Sequence, residues 1–217
     1  MTDIKASLLA EKIIAIIRGI GSDKMKETVG ALLEGGVKLL EVTFDQQDKN
    51  KELDTLKSLE IIKREFGERV CLGVGTVLTT EQVMSAVSAG AEYVISPNTD
   101  VKVIQKVKEL GKISIPGALT PSEMVTAYNA GADIVKLFPA GVLGIEYIKA
   151  LLAPLSHIPV VAVGGISVEN IDQFINAGVK GVGVGGNLVN KKAIYSGEYY
   201  KITQTAQAYK KKIEGLV

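Results

Sequence analysis

Asn129-Ala130-Gly131-Ala132-Asp133-Ile134-Val135-Lys136-Leu137 contains the pattern that decides the fold: a helix end, a glycine and then a short apolar run. Glycine just past a helix end adopts the left-handed backbone that stops the helix, and the apolar run predicts a buried strand. The same order recurs at Glu34-Gly35-Gly36-Val37, Ser88-Ala89-Gly90-Ala91 and Asn176-Ala177-Gly178-Val179. Helices that lead at once into strands predict a parallel sheet built from βα units.

Eight apolar runs are predicted to be strands, at 13–17, 39–42, 70–74, 93–95, 113–115, 134–137, 159–163 and 181–184. Helical patterns are predicted at about 22–55, 80–89, 100–110, 120–130, 143–153, 167–177 and 196–214. This α/β pattern of eight units predicts one (β/α)8 TIM barrel domain over residues 1–217, with residues 3–11 as a short helix closing its base. A doubly wound open sheet is the alternative fold.

The composition excludes several classes of function. The 25 basic residues are scattered among 24 acidic ones, so nothing favours a nucleic-acid or anionic-membrane partner. No apolar run approaches the ~20 residues that span a bilayer, and the N-terminus lacks a secretory pattern, so we expect a cytoplasmic protein. A lone Cys71 and a lone His157 exclude an internal disulfide and a metal site built on several such ligands. We expect Cys71 in the core and His157 in a surface loop.

Lys136 is a charged amine inside an apolar run. Burial lowers the pKa of a lysine, and the neutral amine can attack a carbonyl to form a Schiff base. The structural alternative is a lysine at a strand end whose amine reaches water. The segment alone does not decide between them.

Polar residues collect at the ends of the predicted strands: Arg18, Glu41, Thr43, Thr76, Ser96, Asn98 and Lys136. Because the active site of such a barrel lies where strands end and loops begin, this convergence predicts a catalytic site rather than packing. Glu41 has two interpretations. It is a general base, or a buried salt-bridge partner for Lys136 or Arg18.

Glycine pairs follow the last two predicted strands, in Val163-Gly164-Gly165-Ile166 and Gly183-Val184-Gly185-Gly186-Asn187. Glycines let a ligand approach the backbone closely, and loops at these two positions of a barrel commonly hold phosphate. A dinucleotide site is not predicted, since neither run opens a Rossmann unit with an acidic residue at the right distance.

A series of short motifs extends over residues 8–190: Arg18-Gly19, Glu41-Val42-Thr43, Gly73-Val74-Gly75-Thr76-Val77, Ser96-Pro97, Pro116-Gly117, Thr120-Pro121, Lys136-Leu137-Phe138-Pro139 and Gly164-Gly165-Ile166. In this order they resemble the 2-keto-3-deoxy-6-phosphogluconate (KDPG) and 4-hydroxy-2-oxoglutarate (KHG) aldolases. Those enzymes are class I aldolases, which use a lysine Schiff base and no metal. The resemblance implies cleavage of a 2-keto-4-hydroxy acid, in the first place KDPG or 4-hydroxy-2-oxoglutarate, by an enzyme that forms a homotrimer. The products would be pyruvate and either glyceraldehyde 3-phosphate or glyoxylate.

The resemblance also implies a role for each matching residue. Lys136 is expected to form the Schiff base and Glu41 to transfer protons. The remaining positions are expected to bind substrate (Arg18, Thr43, Thr76), to shape the pocket wall (Pro97, Phe138) and to hold phosphate (Gly164, Gly165, Gly185, Gly186, Asn187). No cofactor is expected beyond the covalent adduct with substrate.

Three positions depart from the family pattern. Asp45 stands where many members have an arginine that helps bind the carboxylate, Ala162-Val163 replaces a frequent Pro-Thr, and Asn187 replaces a frequent serine. Asn98 and Ala162-Val163 match the galactonate-type branch, which is therefore an alternative. More distant alternatives are a phosphate-binding barrel isomerase or epimerase and a non-catalytic barrel that binds a sugar acid.

Overall fold

Nine parallel strands form one sheet in a computed structural model, which describes residues 4–216. The strands are β1 (Ile13–Ile17), β2 (Leu39–Thr43), β3 (Cys71–Gly75), β4 (Tyr93–Ile95), β5 (Ile113–Ile115), β6 (Gly117–Ala118), β7 (Val135–Leu137), β8 (Val160–Val163) and β9 (Gly181–Val184). Hydrogen-bonded neighbours run in the order β5-β4-β3-β2-β1-β9-β8-β7-β6. The eight predicted strands are confirmed to within one residue at each end.

The two outermost strands of this order, β5 and β6, are parts of one chain segment divided at Pro116. β5 pairs with β4, and β6 pairs with β7. Proline has no N–H to donate to a neighbouring strand, which interrupts the ladder, while the Pro116 carbonyl accepts a 2.8 Å hydrogen bond from the Lys136 N–H. The sheet therefore closes through residues 113–118, and the predicted (β/α)8 barrel is confirmed rather than the open sheet.

Helices alternate with these strands throughout residues 4–216. They are α1 (Ile4–Glu11), α2 (Met25–Glu34), α3 (Lys49–Phe66), α4 (Thr80–Ser88), α5 (Val101–Glu109), α6 (Pro121–Asn129), α7 (Ala140–Leu152), α8 (Ile171–Asn176), α9 (Lys191–Tyr195) and α10 (Tyr199–Glu214). No described helix is long and apolar enough to cross a membrane.

Three predicted helices differ from the structure. The helix predicted over 22–55 is wrong as one element, because α2 ends before Gly36 (φ +85°) and α3 starts anew after Asp48, whose side chain accepts from the Asn50 N–H. The helix predicted over 167–177 begins only at Ile171. The helix predicted from 143 begins at Ala140 and is interrupted at Gly144 (φ +77°).

Side chains alternate between the inside of the barrel and the helix layer along each strand. Ile14, Leu39 and Ile134 belong to an interior apolar cluster at the bottom of the barrel, whereas Ile13 and Leu40 pack outwards with the helices. Leu8 of α1 is 3% exposed and belongs to the same interior cluster, so α1 closes the base as predicted. Residue 3, which the prediction included in this helix, lies outside the described residues.

Candidate active site

Lys136 lies inside the barrel because it is two residues beyond Ile134 on the same face of the chain. Its side chain is 4% exposed and has no hydrogen bond in the described structure; its Nζ lies 4.9 Å from the centroid of the Phe138 ring. Burial lowers the pKa of the Lys136 amine, the Glu41 carboxylate opposes this shift, and the Arg18 charge adds to it. Lys136 therefore holds a larger share of neutral, nucleophilic amine than an exposed lysine does at the same pH.

Glu41 lies on β2, two residues beyond the interior Leu39, and is fully buried. Neither carboxylate oxygen has a hydrogen-bond partner within the described residues. Burial raises the pKa of Glu41, while the charges of Lys136 and Arg18 pull it down. No ion pair within 4.0 Å joins Glu41 to either cation in the part of the chain that the structure describes. The salt-bridge interpretation of Glu41 is therefore not supported, and a buried carboxylate without partners suits a proton-transfer group.

Room for the Glu41 side chain comes from β3. A Cβ atom at Gly75 would collide with the Glu41 carboxylate, and one at Gly73 would collide with the ring of Tyr93. Tyr93 is fully buried, and its hydroxyl donates a 2.7 Å hydrogen bond to the Leu40 carbonyl. The Gly73-x-Gly75 spacing is the sequence signal for this interior space.

Arg18 and Thr76 meet at the mouth. Arg18 Nη2 donates a 3.2 Å hydrogen bond to Thr76 Oγ1. Thr76 has φ +59°, a left-handed conformation that side-chain-bearing residues rarely adopt and that is frequent at functional sites. Nearby Thr43 is 4% exposed, and its hydroxyl oxygen is buried without a partner among the described residues. These polar groups are available to a ligand.

Two cavities open at this end of the barrel, and Arg18 lines both. The smaller, about 370 Å³, is bounded by Lys136, Phe138 and Val163, and by the glycine pairs after β8 and β9 with Asn187. The larger, about 640 Å³, is bounded by Thr43, Thr76 and Arg18.

We call Lys136, Glu41, Arg18, Thr43 and Thr76 the side-chain half of the mouth. We call Gly164, Gly165, Gly185, Gly186 and Asn187 the glycine half.

The glycine half is shaped by backbone. Gly164 and Gly165 have φ +98° and +76°, and a Cβ at Gly165 would lie 3.1 Å from Gly141 Cα. The Gly164 carbonyl accepts a 2.8 Å hydrogen bond from the Gly141 N–H. The Asn187 side chain donates to the Ile166 carbonyl at 2.7 Å, which ties the two glycine turns together.

Several predicted residues lie apart from this site. Pro97 is half-buried after β4 and is absent from the lining of both cavities; its carbonyl packs closely against Gly117. His157 is exposed, with its ring 5.4 Å from that of Tyr128, as expected for a surface loop. Cys71 starts β3 at the opposite end of the barrel, is only partly buried, and packs against the interior cluster at the base. Within residues 4–216, no group of three or more His, Cys, Asp or Glu side chains could hold a metal ion.

The sequence analysis did not predict that further polar residues would line the larger cavity. Asp45, which stands at the family's arginine position, pairs with Lys51 at 2.9 Å, and the hydrogen bond from Lys51 lowers the pKa of Asp45. Gln46 donates to the Thr76 carbonyl at 2.6 Å, and Lys191 lines the same cavity. Loop and helix-start residues of this kind carry no periodic signal that would place them at the mouth.

Comparisons with known proteins agree with this geometry. The family model described as KDPG and KHG aldolase matches residues 4–205. A 2-dehydro-3-deoxy-6-phosphogalactonate aldolase of Escherichia coli is 37% identical over 81% of this chain and 83% of its own. A 2-dehydro-3-deoxy-phosphogluconate aldolase of Treponema pallidum is 33% identical over 82% of this chain and 81% of its own.

One solved structure of an aldolase has a similar fold over nearly the whole chain. The KDPG aldolase of Legionella pneumophila, with pyruvate captured at low pH as a covalent carbinolamine intermediate, superposes with a TM-score of 0.86 at 28% identity. The match covers 96% of this chain and 98% of that one.

Proposed function

Because the chain belongs to the KDPG and KHG aldolase family, we propose that this aldolase cleaves a phosphorylated 2-keto-3-deoxy sugar acid through a Schiff base on Lys136. The observation that carries the proposal is a buried Lys136 amine that feels the charge of a buried Glu41 carboxylate, whose two oxygens have no hydrogen-bond partner among the described residues. Burial lowers the pKa of the amine, which favours its nucleophilic form, and raises the pKa of the carboxyl, which favours exchange of a proton.

The reaction follows from these two groups. The neutral Lys136 amine adds to the C2 ketone, and loss of water gives an iminium. Glu41, directly or through water, takes the proton of the C4 hydroxyl; the C3–C4 bond breaks, its electrons flow into the iminium, and the aldehyde leaves. The resulting enamine is protonated at C3, and water then releases pyruvate and regenerates the amine. The iminium accepts the electron pair, so we expect cleavage to proceed in the presence of a chelator.

The two halves of the mouth divide the substrate between them in this proposal. Arg18, Thr43 and Thr76 meet the carboxylate and adjacent oxygens, since they supply a guanidinium and two hydroxyls to one cavity and Arg18 also lines the cavity that Lys136 lines. Backbone N–H groups of Gly164, Gly165, Gly185 and Gly186, with Asn187, meet the phosphate. Phe138 forms the wall between them; Pro97 supports the wall from behind, through Gly117, rather than touching substrate.

A specific observation favours the galactonate epimer as the preferred substrate. Val163, which lines the smaller cavity, offers no hydroxyl to the sugar chain. The E. coli relative named for the galactonate acid is 37% identical to this chain over 177 aligned residues. 4-Hydroxy-2-oxoglutarate, which would release glyoxylate, is expected to react more slowly because it leaves the glycine half empty.

One substrate panel tests these assignments. Pyruvate release is measured for the phosphorylated gluconate and galactonate acids, an unphosphorylated sugar acid and 4-hydroxy-2-oxoglutarate, with borohydride trapping of pyruvate on Lys136 as the parallel assay. We expect the galactonate acid to have the highest kcat/KM and phosphate to improve it. Equal kcat/KM with and without phosphate would remove the role of the glycine half. An isomerase or a binding protein would give no trapped adduct.

We also propose a cytoplasmic homotrimer. A solved protein cage that was designed by fusing symmetric oligomeric domains contains a chain 34% identical to this one, which supports a multimer. Light scattering of the purified protein measures the mass; a monomer at micromolar concentration would contradict the proposal.

A further inference from the structure

The turn between β3 and α4 contains a residue, Thr76, with an unusual backbone conformation. Its first residue, Thr76, has φ +59°, which a side-chain-bearing residue adopts only when its surroundings stabilise it. The turn ends at Thr79, whose side chain caps α4 by accepting from the Gln82 N–H at 3.2 Å. The conformation of Thr76 must therefore be fixed by contacts from elsewhere in the chain.

Two glutamine side chains supply those contacts. Gln46, from the loop after β2, donates a 2.6 Å hydrogen bond to the Thr76 carbonyl. Gln82, from the first turn of α4, donates to Gln46 Oε1 at 3.0 Å and accepts from the Leu78 N–H at 2.9 Å. Gln82 is 7% exposed, so the Gln46 amide is held by a buried side chain.

The held residue is the one that contacts Arg18. Thr76 Oγ1 accepts from Arg18 Nη2 at 3.2 Å, which completes a chain of hydrogen bonds from Gln82 through Gln46 and Thr76 to Arg18. Arg18 has no ion pair within the described residues, and it lines both cavities. Its long side chain would lose more conformational freedom on binding a ligand if Thr76 did not already restrain it.

We propose that Gln46, supported by Gln82, is a positioning residue for the keto acid: it holds Thr76 so that Thr76 and Arg18 meet the carboxylate together. This inference rests on the proposed function, in which those two residues bind the carboxylate. Gln46 touches neither substrate nor Lys136 and acts through Thr76. Its loss raises the cost of binding the keto acid, while the amine chemistry is retained.

The test is borohydride trapping of pyruvate at increasing pyruvate concentration, followed by mass spectrometry. Gln46→Leu removes the amide at similar size. We expect its half-saturating pyruvate concentration to rise about three- to tenfold, as for the loss of one net hydrogen bond, with less change in kcat. Gln105→Leu is the matched control, because this exposed glutamine of α5 lines neither cavity and has no side-chain hydrogen bond in the described structure; it should behave as wild type.

Thermal unfolding of the same variants separates positioning from general support. Lower stability of Gln46→Leu with an unchanged half-saturating pyruvate concentration would overturn the inference and leave the proposed function intact. If wild-type protein forms no pyruvate adduct, the proposed function itself fails and the inference with it. If Gln46→Leu is poorly folded, Gln46→Met, which also lacks an amide, is measured in its place. It should show the same rise in the half-saturating pyruvate concentration.

Discussion

The side-chain half and the glycine half of the mouth are built on different principles. Lys136 and Glu41 are buried ionisable groups, and their pKa values are set by burial and by each other's charge. Gly164 and Gly165 offer only backbone groups. Their positive φ angles let the backbone pass close to Gly141. Substitutions should therefore act on chemistry in the first half and on backbone shape in the second.

The largest effect is expected at the amine. Lys136→Met should abolish the borohydride adduct with pyruvate and lower cleavage at least about 10³-fold, because no other nucleophile takes its place. The variant should unfold at the same or a higher temperature, since a buried charge without a partner is costly. Lys149→Met, at an exposed lysine of α7 that pairs with Glu146, is the control for losing a lysine. A trapped adduct in Lys136→Met would contradict the assignment.

The next largest effect is expected at the buried carboxyl. Glu41→Gln keeps size and shape but cannot take a proton, so kcat should fall about 10²–10⁴-fold.

The same variant has a pH signature in stability. Burial raises the pKa of Glu41 in the folded protein, so the protonated group favours folding, and wild type loses stability as pH rises through that raised pKa. Glu41→Gln should therefore become more stable than wild type as pH rises above the ordinary carboxyl pKa of 4.5. Denaturant unfolding at a series of pH values measures this; a stability difference that does not change with pH would rule it out.

A smaller effect should appear in the glycine half. Gly165→Ala places a side chain at φ +76° and 3.1 Å from Gly141 Cα, and should lower the free energy of unfolding by about 1–2 kcal/mol. It should also raise KM for the phosphorylated acid while the half-saturating pyruvate concentration for trapping stays unchanged. Gly185→Ala is the control for stability, because a Cβ there meets nothing within 4 Å. Equal destabilisation by both changes would remove the distinction between the two glycines.

The smallest expected effect is on the pH dependence of adduct formation, which Arg18 and Glu41 should shift in opposite directions. Arg18 lowers the pKa of the Lys136 amine and the Glu41 carboxylate raises it. Arg18→Met should therefore move the pH dependence of adduct formation to higher pH, and Glu41→Gln should move it to lower pH. The rate of pyruvate trapping as a function of pH measures both shifts, and shifts of the same sign would show that direct charge effects do not control the amine.

The barrel could be predicted from sequence because glycine after several helices located the strands. The burial of Lys136 and Glu41 agrees with their place in apolar runs, whereas their catalytic roles came from the family resemblance and stay a prediction. The helical range predicted over 22–55 was wrong because it ran through the strand predicted at 39–42, and this strand and the loop after it separate α2 from α3. Thr76 could not be predicted to be left-handed, since threonine carries no such preference and its conformation depends on Gln46 and Gln82 from other elements. Pro97 follows a strand as expected, yet its chain turns towards Gly117 instead of the cavity.

The space beside Gly75, which the Glu41 side chain fills, links two positions that are far apart in the sequence. A Cβ at residue 75 would collide with the carboxylate of Glu41, so an alanine there requires the glutamate side chain to leave its present position. The two positions are therefore energetically coupled: Gly75→Ala combined with Glu41→Ala should cost less free energy of unfolding than the sum of the two single changes.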